Sequence, residues 1–487
     1  MACRAFAAIP KVPDNYLQHM NITRRLASKV YAIKRAFTEF LTLPTLIILG
    51  FLLLSLGSYA LDHAEVARLV TTRNFLKAHI FANAKATSDL LGAVAAGIIS
   101  VTSITITLLL LIVQQSAASM TSQVFDQFLR RKTNQLYFGF FVGLALYALI
   151  TLATVNEPFN PVWGGTLAFF FTVVALYLLV LLLYTTINQM RPVEITEAIH
   201  DHILHARRQQ WPTIRKTRSA SLLHAPVRLR VKSDEKGYVS RINLEAIMRG
   251  LKEKEAGAGA EVEVVLLVSI GSFVAYGDTL AEVKATAATG LAGMNDCILN
   301  SIRLERQRDI DFDAAYGIEE LETIAWTSIS TSKSNPAPGL LTIRNLRNIL
   351  ARWSEEKKEQ EGTLPVVYYD NTIETLMNTF QTLAVASSES MQHQNYIEIA
   401  RALTLLYDRL PEKLQQKAED VILRNLSVLG DLAPTSELEM AMNALAEKLM
   451  EHHKQSVGTA LQVAMLELRQ SVGKLNARGT RVPAGKG

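Results

Sequence analysis

The sequence predicts a polytopic α-helical membrane protein: four transmembrane helices, then a cytosolic α+β region in which a small β barrel-sandwich-like module precedes a helical domain. Three observations carry this reading. Of 487 residues, 49% are hydrophobic, at the apolar end for a soluble chain. Nearly all the long apolar runs lie before Met190. Beyond it the chain turns rich in Glu, Lys, Arg and Gln, as water-facing helices should be.

Residues 1–39 form a basic cytosolic segment. They hold no apolar core followed by a small-residue cleavage site, so the first apolar segment is expected to stay in the mature protein. A bilayer core takes about 20 apolar helical residues, and four stretches within 40–190 qualify: 41–61, 90–113, 136–155 and 162–187. The second continues through Gln114, Gln115 and a run of Ala and Ser without proline or glycine. It reads as one long helix that leaves the bilayer.

Orientation follows from basic residues retained in the cytoplasm. Arg24, Arg25, Lys29, Lys34 and Arg35 precede the first span; Arg130, Arg131 and Lys132 lie between the second and third; Arg191, Arg207 and Arg208 follow the fourth. Only the first loop dissents, with Arg68, Arg73, Lys77 and Lys85. The expected location is the cell inner (cytoplasmic) membrane, with both termini cytoplasmic. The net charge of +5 tracks these boundaries, which favours lipid headgroups as partner and excludes nucleic acid.

Ile99-Ser100-Val101-Thr102, Gln114, Phe128-Leu129-Arg130, Asn134-Gln135, Gly139 and Phe141-Val142-Gly143 resemble a bacterial family of predicted membrane proteins, domain of unknown function 2254. Arg308, Asp313, Tyr316-Gly317, Ser330 and Asn335-Pro336 are similar to its second signature. The chain departs from the family pattern at Thr121-Ser122-Gln123, where Ser-Pro-Arg is usual, and at Ser334-Asn335-Pro336, where Asn-Asp-Pro is. The resemblance implies the architecture and brings no activity with it.

Five hydroxyls, Ser100, Thr102, Ser103, Thr105 and Thr107, crowd the second span. At about 100° per residue, Ser100, Ser103, Thr107 and Gln114 share a face, and in a symmetric oligomer that face could line water. The alternative is that these hydroxyls bond their own helix and let helices pack closely. Gly139 and Gly143 form a close-packing face on the third span, and Gly164-Gly165 another on the fourth. The spans so bounded hold no Asp, Glu, Lys or Arg, which counts against coupled transport.

Residues 191–226 read as a membrane-proximal helical linker. Over 227–285 the pattern is β: Val227, Leu229 and Val231 alternate with basic residues, and Val262–Val268 is β-branched. Gly271-Ser272-Phe273-Val274 and Gly277-Asp278 resemble the sandwiched barrel of lipoyl and biotinyl domains, with glycines at two tight turns. The modified-lysine hairpin of those domains is missing at 282–286, so the module reads as structural. Helical periodicity then fills 286–472 in segments 291–304, 318–328, 339–353, 373–387, 397–408, 411–429 and 437–472, ahead of a disordered tail over 473–487.

No Walker loop, Gly-x-Ser-x-Gly, His-Glu-x-x-His or zinc-type cysteine spacing occurs, and the two cysteines, Cys3 and Cys297, form no disulfide framework. Neither catalytic residues, a cofactor nor a metal is therefore expected. Glu194, Glu197, Asp201 and His205 share a helix face, a weak arrangement for a metal. Arg308 and Asp313 before a helix, with Ser330 and Asn335 in a polar loop, are the ligand or gating candidates. The expected function is a homo-oligomeric ion channel or pore for an inorganic ion, with a cytosolic vestibule or regulatory domain. The alternative is a membrane-anchored interaction or regulatory scaffold without transport.

Overall fold

The computed structural model describes residues 40–64, 70–121, 128, 130–157, 159–224, 227–258, 261–330, 335–356, 362, 364–429 and 432–470. The N-terminal segment 1–39 and the tail 473–487 lie outside them. The chain divides into two compact units, Met1–Ala118 with Ser122–Met190, and Ser119–Thr121 with Arg191–Gly487.

The first unit contains α1 (Thr42–His63), α2 (Val70–His79), α3 (Ala84–Ser119), α4 (Lys132–Ala153) and α5 (Val162–Gln189). All but α2 are long and apolar enough to cross a membrane. The short α2 occupies the loop expected after the first span. At about 1.5 Å per residue the 36 residues of α3 reach about 54 Å, some 24 Å beyond a hydrocarbon core of about 30 Å. No proline or glycine interrupts the second half, so the helix continues as expected.

Helix α4 is the central one: 50% of its apolar window is buried, against 22% for α1 and α3 and 17% for α5. Its glycines explain why. A Cβ on Gly139 would stand 2.8 Å from the Pro44 Cα, and one on Gly143 would run into the Phe51 ring, so α1 lies directly on this face. Gly164 and Gly165 do the same for Thr151 and Phe81. Small residues set the helix spacing because lipid supplies no hydrophobic drive for association.

The large apolar side chains point outward instead, among them Leu53, Leu56, Ile104, Leu111, Phe170 and Val180. Several polar side chains are turned in and tie the bundle at each end. At one end Asn134, fully buried, donates to the Phe128 carbonyl at 2.9 Å and to Gln189 at 3.1 Å. At the other, Thr87 donates to Asn160 at 2.6 Å and Asn160 to the Phe81 carbonyl at 3.0 Å. There too Asp62, just outside the span expected from sequence, belongs to the last turn of α1. Its carboxylate accepts the Trp163 and Gly164 amides, both at 3.0 Å, at the positive end of α5.

The second unit opens with α6 (Pro192–Ile214) and continues β1 (Val227–Lys232), β2 (Gly237–Ile242), α7 (Leu244–Ala258), β3 (Val262–Leu266), β4 (Phe273–Val274), β5 (Thr279–Ala285), α8 (Met294–Ser301) and β6 (Ile302–Glu305). Then follow α9 (Ala314–Ser330), α10 (Ala337–Trp353), β7 (Val366–Val367), α11 (Thr372–Glu389), α12 (His393–Leu406), α13 (Glu412–Leu429), α14 (Ser436–Glu451) and α15 (Gln455–Gln470). The strands form two sheets, β1-β5-β3-β7 and β4-β2-β6, antiparallel except for β3 with β7.

Strands do form where 227–285 predicts them, and Gly271 and Gly277 take φ of 88° and 86° at the two expected turns. A barrel-sandwich closed within those residues is not what the chain builds, however. Each sheet takes a strand from beyond residue 285, and α7 stands between β2 and β3. Asn243 accepts the Ala246 amide at 3.0 Å to start that helix, and Leu244, Ile247 and Leu251 bury one face of it. The expected helix 291–304 forms only as the shorter α8, and from Ile302 it gives way to β6, which pairs with β2.

The single helix expected over 437–472 is two. His453 takes φ 60°, with Lys454 N bonded to Leu449 O and His453 N to Met450 O, the paired 6→1 and 5→2 closure that ends helices. Met391, at φ 54°, closes α11 in the same way through Gln392 N to Ser387 O and Met391 N to Ser388 O. Glycine usually takes this place, which is why the break at His453 is not visible in the residues, whereas the gap between 387 and 397 already separates the helices on either side of Met391.

Two outcomes follow for thermal unfolding of the purified protein in detergent. Met391 is 57% exposed, so Met391→Gly relieves about 1–2 kcal/mol of left-handed strain against about 0.5–1 kcal/mol of added unfolded-state entropy, a net gain of roughly 0.5–1 kcal/mol. Gly143→Leu drives a side chain into Phe51 and costs at least about 2 kcal/mol.

Candidate functional site

Ser100, Ser103, Thr107 and Gln114 all lie on one exposed face of α3, while Leu91, Val94, Ile98, Leu109 and Val113 bury the opposite one. Thr107 donates to the Ser103 carbonyl at 2.9 Å, the local bond that makes a hydroxyl tolerable in lipid. Gly92 and Gly97 have nothing within reach of a Cβ. Among the described residues, the stripe is therefore not used for packing inside the chain's own bundle. Thr105, by contrast, is buried.

The ligand or gating candidates are not brought together. Asp313 caps α9, accepting the Tyr316 amide at 3.0 Å, and Ser330 ends the same helix, whose 17 residues span about 25 Å. Arg308 donates to Asp313 at 2.7 Å and Glu319 at 2.5 Å, and its guanidinium lies 4.8 Å from the Tyr316 ring. A Cβ on Gly271 would strike both Asp313 and Arg308. Arg308 and Asp313 thus form a brace that pins the β-turn at Gly271 to the start of α9, with little left to offer a ligand. Asn335 at the other end accepts the Ala337 amide at 3.1 Å and, through its carbonyl, the Ser328 hydroxyl at 2.5 Å, so it starts α10. The rest of that polar loop, 331–334, lies outside the described residues.

Nor do the polar groups of α6 gather round a metal. His200 lies 3.3 Å from Asp201 and 3.2 Å from Asn348, His202 lies 2.7 Å from Asp311, and His205 pairs with Gln209 at 2.8 Å. Among the described residues no three His, Cys, Asp or Glu side chains are placed to hold a metal ion. Arg207, one of the charges used to orient the chain, is 1% exposed. It donates to Glu356 at 2.8 and 2.9 Å and to Asp370 at 2.6 Å, with its guanidinium 4.6 Å from the Trp211 ring and 5.2 Å from that of Trp353. Its charge is spent inside the second unit and says nothing about headgroups.

Two features escape sequence reasoning. Glu263, on β3 and 1% exposed, accepts Arg218 at 2.9 Å, the Leu222 and Leu223 amides at 3.1 and 3.3 Å, and the Ser221 hydroxyl. The second is a cavity of about 290 Å³ lined by Gln209 and Gln210 of α6, Ser240, Arg241, Asn243 and Glu245 around the start of α7, and Tyr368, besides apolar side chains. Asn243 ahead of Leu244, Ile247 and Leu251 is a helix-start signal that would have found one wall. The other walls meet only in three dimensions.

A family model of predicted membrane proteins, domain of unknown function 2254, matches residues 38–398. The chain belongs to this family. No curated protein and no solved structure matches it. With four helices apolar enough to cross a bilayer, it is a membrane protein of unknown function. The residues that carry the resemblance to domain of unknown function 2254 now have physical roles. Asn134 clamps the bundle, Gly139 and Gly143 seat α1, Arg308 and Asp313 brace the start of α9, and Gly317 lets Ile203 of α6 approach α9.

Burial alone would raise the Glu263 carboxyl, but its four donors hold it below the ordinary glutamate range. Beside Arg207 and Thr372, Asp370 is likewise held low against its burial. A depressed carboxylate contributes stability that is fully present above its unfolded pKa of about 4.3 and is lost as pH falls through the folded value. Glu263→Gln, which turns an amide N–H towards donors, is therefore expected to cost about 2 kcal/mol at neutral pH. In chemical unfolding the gap from the unsubstituted protein should narrow below about pH 4.

Proposed function

We propose that the protein is a homo-oligomeric ion channel of the inner membrane in which the α3 helices surround an axis, with both termini and the second unit cytoplasmic. It conducts an inorganic ion, contacts membrane lipid, binds no nucleic acid and carries out no catalysis. The observation that supports this reading is the exposed stripe of Ser100, Ser103, Thr107 and Gln114 on a helix whose other face is packed. A hydroxyl and amide row costs less against water or a second copy than against acyl chains.

Two further facts favour passive conduction. Asp62, the acidic side chain drawn into the bundle, has both carboxylate oxygens taken up by the α5 amides, so it serves as a helix cap. The remaining buried polar groups of the bundle named above are uncharged amides and hydroxyls. Neither arrangement supplies the titrating relay that proton coupling uses.

Purified protein reconstituted in bilayers should give discrete single-channel currents, and Thr107→Leu, an exposed position, should lower their amplitude. Silence at all voltages and tensions, from protein that unfolds cooperatively, overturns the channel and leaves a membrane-held scaffold.

A further inference from the structure

The cavity of the second unit, about 290 Å³ in volume, sits near the lower end for a small-molecule site. Its floor is apolar, made by Ile214, Ile242, Leu244, Ile270 and Phe312. Its polar groups are of an unusual kind, because several are left without partners. The Arg241 guanidinium lies 3.6 Å from the Phe312 ring centroid and pairs with no carboxylate among the described residues. Glu245, also on the lining, pairs with no cation among them.

Tyr368 is only 4% exposed. Its hydroxyl oxygen accepts the Ile270 amide at 3.3 Å, and its O–H donates to no group among the described residues. Burial pushes this phenol well above its ordinary pKa, so the proton stays on and is available to an acceptor. At the α7 start, Asn243 takes the Ala246 amide, while the amides of Leu244 and Glu245 have no partner among the described residues. Those two N–H groups stand at the positive end of a 15-residue helix, where a carboxylate is stabilised.

We propose that this cavity binds a small zwitterion of the amino-acid class, its carboxylate on Arg241 and the α7 amides and its ammonium on Glu245. The neutral sum of one guanidinium and one carboxylate argues for a ligand with both charges over a simple anion, which would leave Glu245 opposed to it. The Tyr368 hydroxyl donates to a carboxylate oxygen or to a polar side-chain atom of the ligand, and the apolar floor takes a short side chain. Arg241 stacked on Phe312 is already held in place, so little side-chain freedom is lost on binding.

The test is titration calorimetry on the full-length protein in detergent, with each of the standard amino acids and, as controls, acetate, propionate, methylamine, ethylamine and inorganic phosphate. At least one amino acid should bind saturably at one per chain, with the carboxylate and amine controls at least about tenfold weaker. Arg241→Met, which keeps contact with Phe312, and Glu245→Gln should each weaken that binding about tenfold or more, with the thermal midpoint unchanged because both side chains are exposed. Absence of saturable binding by every amino acid up to about 10 mM, equal binding by acetate or phosphate, or binding that ignores both substitutions would overturn the proposal. Heat of binding is read directly, so the result is independent of whether the protein conducts.

Discussion

Arg207 carries a full charge into the middle of the second unit, and the surrounding helices are arranged to satisfy it. Its guanidinium is shared between Glu356, just after α10, and Asp370, just before α11, and is flanked by Trp211 of its own helix and Trp353 of α10. Desolvating such an ion is costly enough that losing a partner destabilises by roughly 3–5 kcal/mol. Three segments distant in sequence must therefore meet at one point before α6 can be buried. Once they do, α6 offers Ile203 to Gly317 and Gln210 to the Phe312 carbonyl, and the start of α9 and the cavity wall follow from its placement.

The membrane-spanning unit obeys the opposite logic. Its outer surface is apolar because its solvent is apolar, and its specificity comes from a few inward polar groups and glycines. Asp62 at the α5 start and Asn134 beneath Gln189 fix the two ends, while Gly139 and Gly143 fix the distance from α1 to α4. Against that background α3 stands apart. One of its faces packs, and the other presents hydroxyls and an amide that no described residue of the same bundle covers.

Much of this was legible in the residues. Four apolar runs, the length of α3, the glycine turns at Gly271 and Gly277, and five of the six helical segments beyond residue 310 are properties of local pattern, and local pattern survives folding. What misled was of two kinds. Strands β6 and β7 have no meaning until a partner strand is present, and the 15-residue α7 escapes a β reading although Asn243, Leu244, Ile247 and Leu251 mark its start and its buried face. The left-handed closure at His453 uses a residue that rarely adopts it, so periodicity alone ran α14 and α15 together. The candidate pair Arg308 and Asp313 was correctly seen as coupled, yet its role as a brace depends on Gly271, more than thirty positions earlier in the chain.

By itself the sequence determined that this is a membrane protein with four helices long and apolar enough to span a bilayer, because a run of about 20 apolar residues has a single stable answer in lipid. It also determined the family, through glycines, an asparagine and an Arg-Asp pair whose spacing is local. The tertiary structure alone decided which charges are buried, which face of α3 is left open, and that Arg241, Glu245 and Tyr368 surround one cavity. Those are relations between segments far apart in the chain, and burial, unlike helical periodicity, belongs to no segment until the others have folded against it.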